Sequence, residues 1–204
     1  MESGSSSPES VSGAHRAPAM PLYLPLVAGI VTTVFVVDQV TKLVAVDRLA
    51  PAYVPRSVVG DALRLTLVYN PGAAFGLHLG EYSRQIFTAL IVGALVLLYR
   101  LYRETRVGHL TRVVAIALVT GGALGNLLDR LRSSRGVVDF IDVGIGTSRW
   151  PTFNVADMAV SCGAVVLAIV LWREDAATAS RRTAPTAPRG TEPTEPAADA
   201  PIHG

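Results

Sequence analysis

Four apolar runs, each of roughly the length that a bilayer core requires, alternate with polar segments along the chain. The first extends from about Leu22 to Val46 and is interrupted late by Asp38-Gln39-Val40-Thr41-Lys42. The second covers about Ser83 to Tyr102 and the third about Thr111 to Leu128. The fourth runs from about Val155 to Trp172, whose indole suits an interfacial anchor. In lipid every backbone polar group must be satisfied within the segment, so these runs are predicted to be transmembrane helices. Between the first and second runs, Ser57-Val58-Val59 and the stretch from Ala62 to Tyr69 read as short strands, with alternation in Leu63-Arg64-Leu65-Thr66-Leu67. Asn70-Pro71-Gly72 reads as a turn after them, and a small sheet lying on the membrane surface is expected there. Residues 1–20 and 173–204 are rich in Ser, Gly, Pro, Ala and Thr and are expected to be disordered tails around a helical domain over 21–172.

Composition agrees with the pattern. Half of the 204 residues are hydrophobic and 17% are charged, and the mean hydropathy is +0.40, which fits a small polytopic membrane protein. A formal net charge of +2 gives no sign of a nucleic-acid partner. The one cysteine, Cys162, excludes an internal disulfide and a cysteine metal cluster. The four histidines are scattered without ligand spacing, so no zinc site is expected. A cleaved signal peptide is a poor account of the first run, which is long, has no basic cluster directly before it and has no clear small-x-small site after it. Arg100, Arg103, Arg106 and Arg112 crowd the short connection between the second and third runs, which favours that loop, and both termini, on the cytoplasmic side.

Polar residues gather at the apolar runs in five places. Asp38 and Lys42 are four positions apart, so on a helix they share a face, and a buried pair that neutralises itself is the simplest role. A serine–lysine peptidase would need a serine near Lys42, and no local motif supplies one. Asn70-Pro71-Gly72-Ala73-Ala74-Phe75-Gly76 combines a turn with small residues that permit close backbone approach. Gly121-Gly122-Ala123-Leu124-Gly125 places small residues where helices pack, and Asn126 and Arg130 follow on one helical face. Asp129 reads as a structural or interfacial charge. Asp139, in Val137-Val138-Asp139-Phe140, and Asp157, in Phe153-Asn154-Val155-Ala156-Asp157, flank the start of the last run. Two carboxylates there could share a proton and activate a water. For Asp157 there is a second account: with Asn154 as the helix cap, it sits where a carboxylate suits the helix dipole. Asp142 is expected to face water. A transporter or scaffold using these charges as an ion path is the competing class.

Taken in order, these strings resemble the lipoprotein signal peptidase family, signal peptidase II, over about Leu22 to Trp172. The resemblance implies an all-α membrane protein with four transmembrane helices and a small extracytoplasmic β-sheet between the first and second. It implies an aspartic endopeptidase that cleaves diacylglyceryl-modified prolipoproteins just before the lipid-carrying cysteine, in the cytoplasmic membrane and without a cofactor. Asp139 and Asp157 become the catalytic pair by motif match. Asp38, Lys42, Asn70, Gly72, Asn126, Arg130, Asn154 and Ala156 match further motif positions that would bind substrate or support the pair. The partners implied are the diacylated prolipoprotein and membrane lipid, and a monomer is expected.

Overall fold

The computed structural model describes residues 20–74, 77–78 and 82–183. Its helices are α1 (Met20–Leu49), α2 (Ser83–Glu104), α3 (Leu110–Arg132) and α4 (Val155–Thr183). Among the described residues these four are long and apolar enough to cross a membrane. Large side chains on their outer faces are left bare, including Leu43, Leu90 and Val165. In water such exposure would be a liability; around a bundle of this length it marks the faces that meet lipid.

Helix α3 is the most buried of the four and packs on α1, α2 and α4. Small residues allow that centrality. A Cβ on Gly125 would run into the Asp38 carboxylate of α1, and one on Gly122 would run into the Ala156 carbonyl of α4. Leu98, Tyr102, Val113, Ala115, Ile116 and Leu167 fill the bundle toward the α2–α3 connection. At that end the Gly108 N–H donates to the Tyr23 hydroxyl at 3.3 Å, and Glu174 pairs with His109 and Arg112, each at 2.8 Å. The start of α1, the α2–α3 connection and the far part of α4 therefore lie together.

The opposite end carries the sheet. Strands β1 (Arg56–Val59) and β2 (Leu63–Asn70) precede a two-residue pair, β3 (Ala73–Ala74) and β4 (Leu77–His78). Strands β5 (Val137–Ile145) and β6 (Ser148–Arg149) connect α3 to α4. The main sheet is antiparallel in the order β1-β2-β5-β6. The sheet is thus not confined to the segment between the first two helices, because half of it comes from a stretch that reads as a polar loop. The register of β2 against β5 shifts once along the pair, between Leu65 and Val68. Phe140 and Ile141 both donate to the Phe153 carbonyl, and both join the apolar cluster of Ala45, Leu49 and Leu67. Leu65 pairs with Ile141 and Val68 with Asp139, so four residues of β2 face three of β5 and the extra residue of this β-bulge lies on β2.

Two further expectations change. Asp142 does not face water: it is 7% exposed, bonded to the Thr66 hydroxyl at 3.0 Å and to Arg149 Nε at 2.5 Å. Helix α4 does not end at Trp172, since Ala-rich sequence continues it to Thr183 and Glu174 anchors it to α3. Residues 1–19 and 184–204, where the remainder of both tails was expected, lie outside the described residues, as do Phe75 and Gly76.

Candidate active site

The carboxylates of Asp139 and Asp157 are organised by one residue, Asn154, which is fully buried at the entry to α4. Its side-chain oxygen accepts the Asp157 N–H at 2.9 Å, and its own N–H donates back to Asp157 Oδ2 at 3.2 Å. That reciprocal pair is a capping box: it satisfies two donors of the helix start and fixes the Asp157 rotamer. Meanwhile Asn154 Nδ2 donates to Asp139 Oδ1 at 2.7 Å, and also reaches Asn126 Oδ1 at 3.1 Å. Asn126 Nδ2 in turn donates to Asp157 Oδ1 at 2.7 Å. Asn70 Nδ2 supplies the second donor to Asp139, at 3.1 Å on Oδ2.

Asn70 is held by its own turn. Its side-chain oxygen accepts the Gly72 N–H at 3.1 Å. Gly72 has φ 126, and a Cβ there would meet Phe87 and Ser83 at 3.0 Å, so only glycine fits the turn against α2.

Asp139 is 2% exposed. Burial, followed by the nearby Asp157 charge, pushes its carboxyl up to about 7; the bonds from Asn70 and Asn154 and the Lys42 charge oppose that rise. The Asp139 carboxyl can therefore hold or give a proton near neutral pH. Each of the two carboxylates accepts two N–H bonds, which leaves part of its bonding capacity open.

Beneath this pair lies a second buried set. Lys42 Nζ donates to Asp38 Oδ2 at 2.8 Å, Asp129 Oδ2 at 2.9 Å and Asn126 Oδ1 at 2.9 Å. An ammonium has three donors, so Lys42 is saturated and unavailable as the base of a serine–lysine pair. Asp38 has no exposed surface, and its Oδ1 accepts the Ala156 N–H at 2.9 Å, satisfying another free donor of α4's first turn. The Asp38–Lys42 pair is therefore part of a larger network. Asp129 is a structural charge here, linking Lys42 at 2.9 Å to the Val138 N–H at 3.3 Å. Gln39, which carried no assigned role, bonds to Asp38 at 3.1 Å and to Asp129 at 3.3 Å.

Arg130 lies apart from direct bonding to either aspartate. Its guanidinium sits 5.8 Å from the Phe87 ring centre and donates to the Asn126 carbonyl at 3.3 Å. Its buried Nε has no hydrogen-bond partner, while Asp157, Asp139 and Asp129 all lie within electrostatic reach. Every predicted site residue thus falls at the sheet end of the bundle, around the start of α4. The Thr66–Asp142–Arg149 set escaped sequence reading, since its members lie on three different strands and meet only across them.

Residues 30–173 match the model of the family described as signal peptidase (SPase) II. The chain belongs to the signal peptidase II family. A lipoprotein signal peptidase of Burkholderia mallei is 43% identical over 143 residues, which cover 68% of this chain and 82% of the relative. One from Paraburkholderia phytofirmans is 43% identical over 144 residues, covering 69% and 81%. Among solved structures, a bacterial membrane enzyme determined by the in meso method at 2.3 Å matches with TM-score 0.68 and 28% identity, covering 84% of this chain and 98% of that one. Another, at 1.9 Å, matches with TM-score 0.64 and 30% identity, covering 77% and 96%. As a member of the signal peptidase II family the protein is an aspartic peptidase, and the four apolar helices make it a multi-pass membrane enzyme.

Proposed function

We propose that Asp139 and Asp157 are the catalytic dyad of a peptidase that removes the signal peptide from diacylglyceryl-modified prolipoproteins, cutting just before the lipid-carrying cysteine. The observation that carries this reading is Asn154, which holds both carboxylates at the mouth of α4. Asp139, with its carboxyl raised to about 7, carries the proton, and Asp157 acts on a water between them. Asp157 takes a proton as the water oxygen attacks the scissile carbonyl, and Asp139 gives its proton to the carbonyl oxygen. On collapse, Asp157 passes its proton to the leaving nitrogen and Asp139 recovers one from the tetrahedral hydroxyl.

The remaining site residues divide by contact. Asn126, Asn154 and Asn70 position the carboxylates. Asp38, Lys42 and Ala156 hold the start of α4 in place below them. Gly72 sets the Asn70 turn, and Arg130 presents an unsatisfied guanidinium edge to substrate backbone. The dyad and sheet face the extracytoplasmic side of the cytoplasmic membrane, with the arginine-dense α2–α3 connection and both ends of the chain inside. The diacylglycerol of the substrate stays in the bilayer while the peptide bond is presented at interface depth. No cofactor takes part, and the working unit is a monomer.

The test incubates purified wild type, Asp139→Asn and Asp157→Asn in lipid with a diacylated prolipoprotein and with its unlipidated counterpart. Cleavage before the cysteine, by wild type only and of the diacylated form only, is the expected outcome. Full cleavage by either variant removes the dyad assignment, and equal cleavage of both precursors removes the lipid requirement.

A further inference from the structure

An apolar groove runs along the seam of α1 and α3, inside the spanning segments of both helices. Val31, Thr32 and Phe35 line it from α1, and Leu124, Leu128 and Leu131 from α3; its volume is about 360 Å³. Leu131, 66% exposed, lies on its open side. At about 100° per residue, the three leucines fall on the side of α3 opposite Asn126, the residue that bonds to Asp157. The groove therefore belongs to the back of the bundle, away from the two carboxylates.

Its dimensions limit what it can hold. From Leu124 to Leu131 a helix rises about 10 Å. One leaflet of a bilayer core is about 15 Å deep, and these positions lie in the sheet-side half of α3, so the leucines line most of one leaflet and no more. A further spanning helix, about 10 Å across and as long as the whole core, does not fit such a slot. A single hydrocarbon chain does.

The sheet-side end of the groove carries a charge. Arg132 follows Leu131 and stands one turn beyond Leu128, in the last turn of α3. Other arginines at this end are engaged: Arg64 with Asp61, Arg135 over the Tyr69 ring and Arg149 with Asp142. Arg132 is exposed and has no ion-pair partner among the described residues.

We propose that the groove holds one acyl chain of a bilayer phospholipid whose phosphate is bound by Arg132. A guanidinium at the end of an apolar slot matches an anionic group at the end of a hydrocarbon chain. A diacylglyceryl group has no phosphate and gives Arg132 nothing to bind. The bound chain also has a mechanical consequence. Gln39, one turn beyond Phe35, joins α1 to α3 through the Gly125 carbonyl and Asp129, each at 3.3 Å. A chain packed on Phe35 and Leu128 covers the flank of that seam and holds the two helices together. The groove and Arg132 carry the inference, which stands whether or not the dyad assignment does.

The test strips lipid from the purified full chain in detergent. The protein is then titrated with phosphatidylglycerol, or with uncharged diacylglycerol of the same chain length, and bound molecules are counted by native mass spectrometry. Wild type should hold one phosphatidylglycerol more tightly than any further copy. Arg132→Gln, and separately Thr32→Trp to fill the groove from α1, should each weaken that first binding about tenfold, with helicity unchanged by circular dichroism. Phosphatidylglycerol should also raise the melting temperature of wild type more than that of either variant. Equal binding by all three proteins would overturn the site and leave only ordinary lipid contact. Diacylglycerol bound as tightly as phosphatidylglycerol, and unaffected by Arg132→Gln, would also overturn it and give the groove to the lipid of a substrate. These readouts need no cleavage, so they fail or succeed apart from the dyad test.

Discussion

Two buried polar clusters share Asn126 and differ in how far their bonding capacity is used. Around Lys42, the ammonium spends all three donors, and Asp38 accepts from Lys42, Gln39 and the Ala156 N–H. Around Asn154, each aspartate accepts two bonds of about four that a carboxylate can take. The first cluster is closed and ties α1, α3 and α4 together. The second keeps lone pairs open beside the end of the bundle. Both are charged, buried and built from motif residues, so it is saturation that separates a brace from a place where chemistry can occur.

The strongest way to break this comparison is to remove charge from each side in turn. Asp139→Asn keeps the shape and should lower kcat/KM by about 10³-fold or more while leaving the melting temperature near wild type. Lys42→Met should do the reverse in kind: it leaves Asp38 and Asp129 buried without their cation, at a cost of about 3–5 kcal/mol in stability read from thermal unfolding in detergent. If Lys42→Met folds with wild-type stability, the brace assignment is wrong.

A finer test uses pH. Because the Asp139 carboxyl is raised to about 7, its protonated fraction falls as pH rises through that value. Activity that needs the proton should fall with it, by about tenfold per unit well above the midpoint. Asn70→Ala removes a bond that favours the charged form, so the alkaline limb should move to higher pH. A limb that stays put would detach that titration from Asp139. The smallest effect is expected far from both clusters. Glu174→Gln weakens partly exposed pairs with Arg112 and His109 and should cost at most about 1 kcal/mol, with cleavage unchanged.

The spanning helices were legible because long apolar runs have few alternatives, and β1 and β2 were legible because Leu63-Arg64-Leu65-Thr66-Leu67 alternates cleanly. Strand β5 was not. Its two aspartates and Gly144 suggest a loop, and they are buried only because β2, Asn154 and Arg149 meet them from elsewhere in the chain. Asp142 was misplaced for the same reason, since the Arg149 and Thr66 that cover it arrive from neighbouring strands. The end of α4 was misjudged because charged, Ala-rich sequence resembles a tail until Glu174 finds partners on another helix. Asp157 carries a subtler lesson. Capping and proton chemistry looked like rival accounts of one side chain, yet the cap engages Oδ2 and leaves Oδ1 turned to Asn126. The two uses are compatible.

That capping box makes the first turn of α4 a gauge of the site's readiness. Whenever the turn frays, Asp157 loses its rotamer and Asn154 lets go of Asp139 in the same event, so opening is shared by helix and dyad. Hydrogen exchange at the Asn154 and Asp157 amides therefore reports, averaged over the population, how often this capping box opens. A compound that merely loosened this turn, without entering the cleft, would slow the enzyme and announce itself as faster exchange at those two positions.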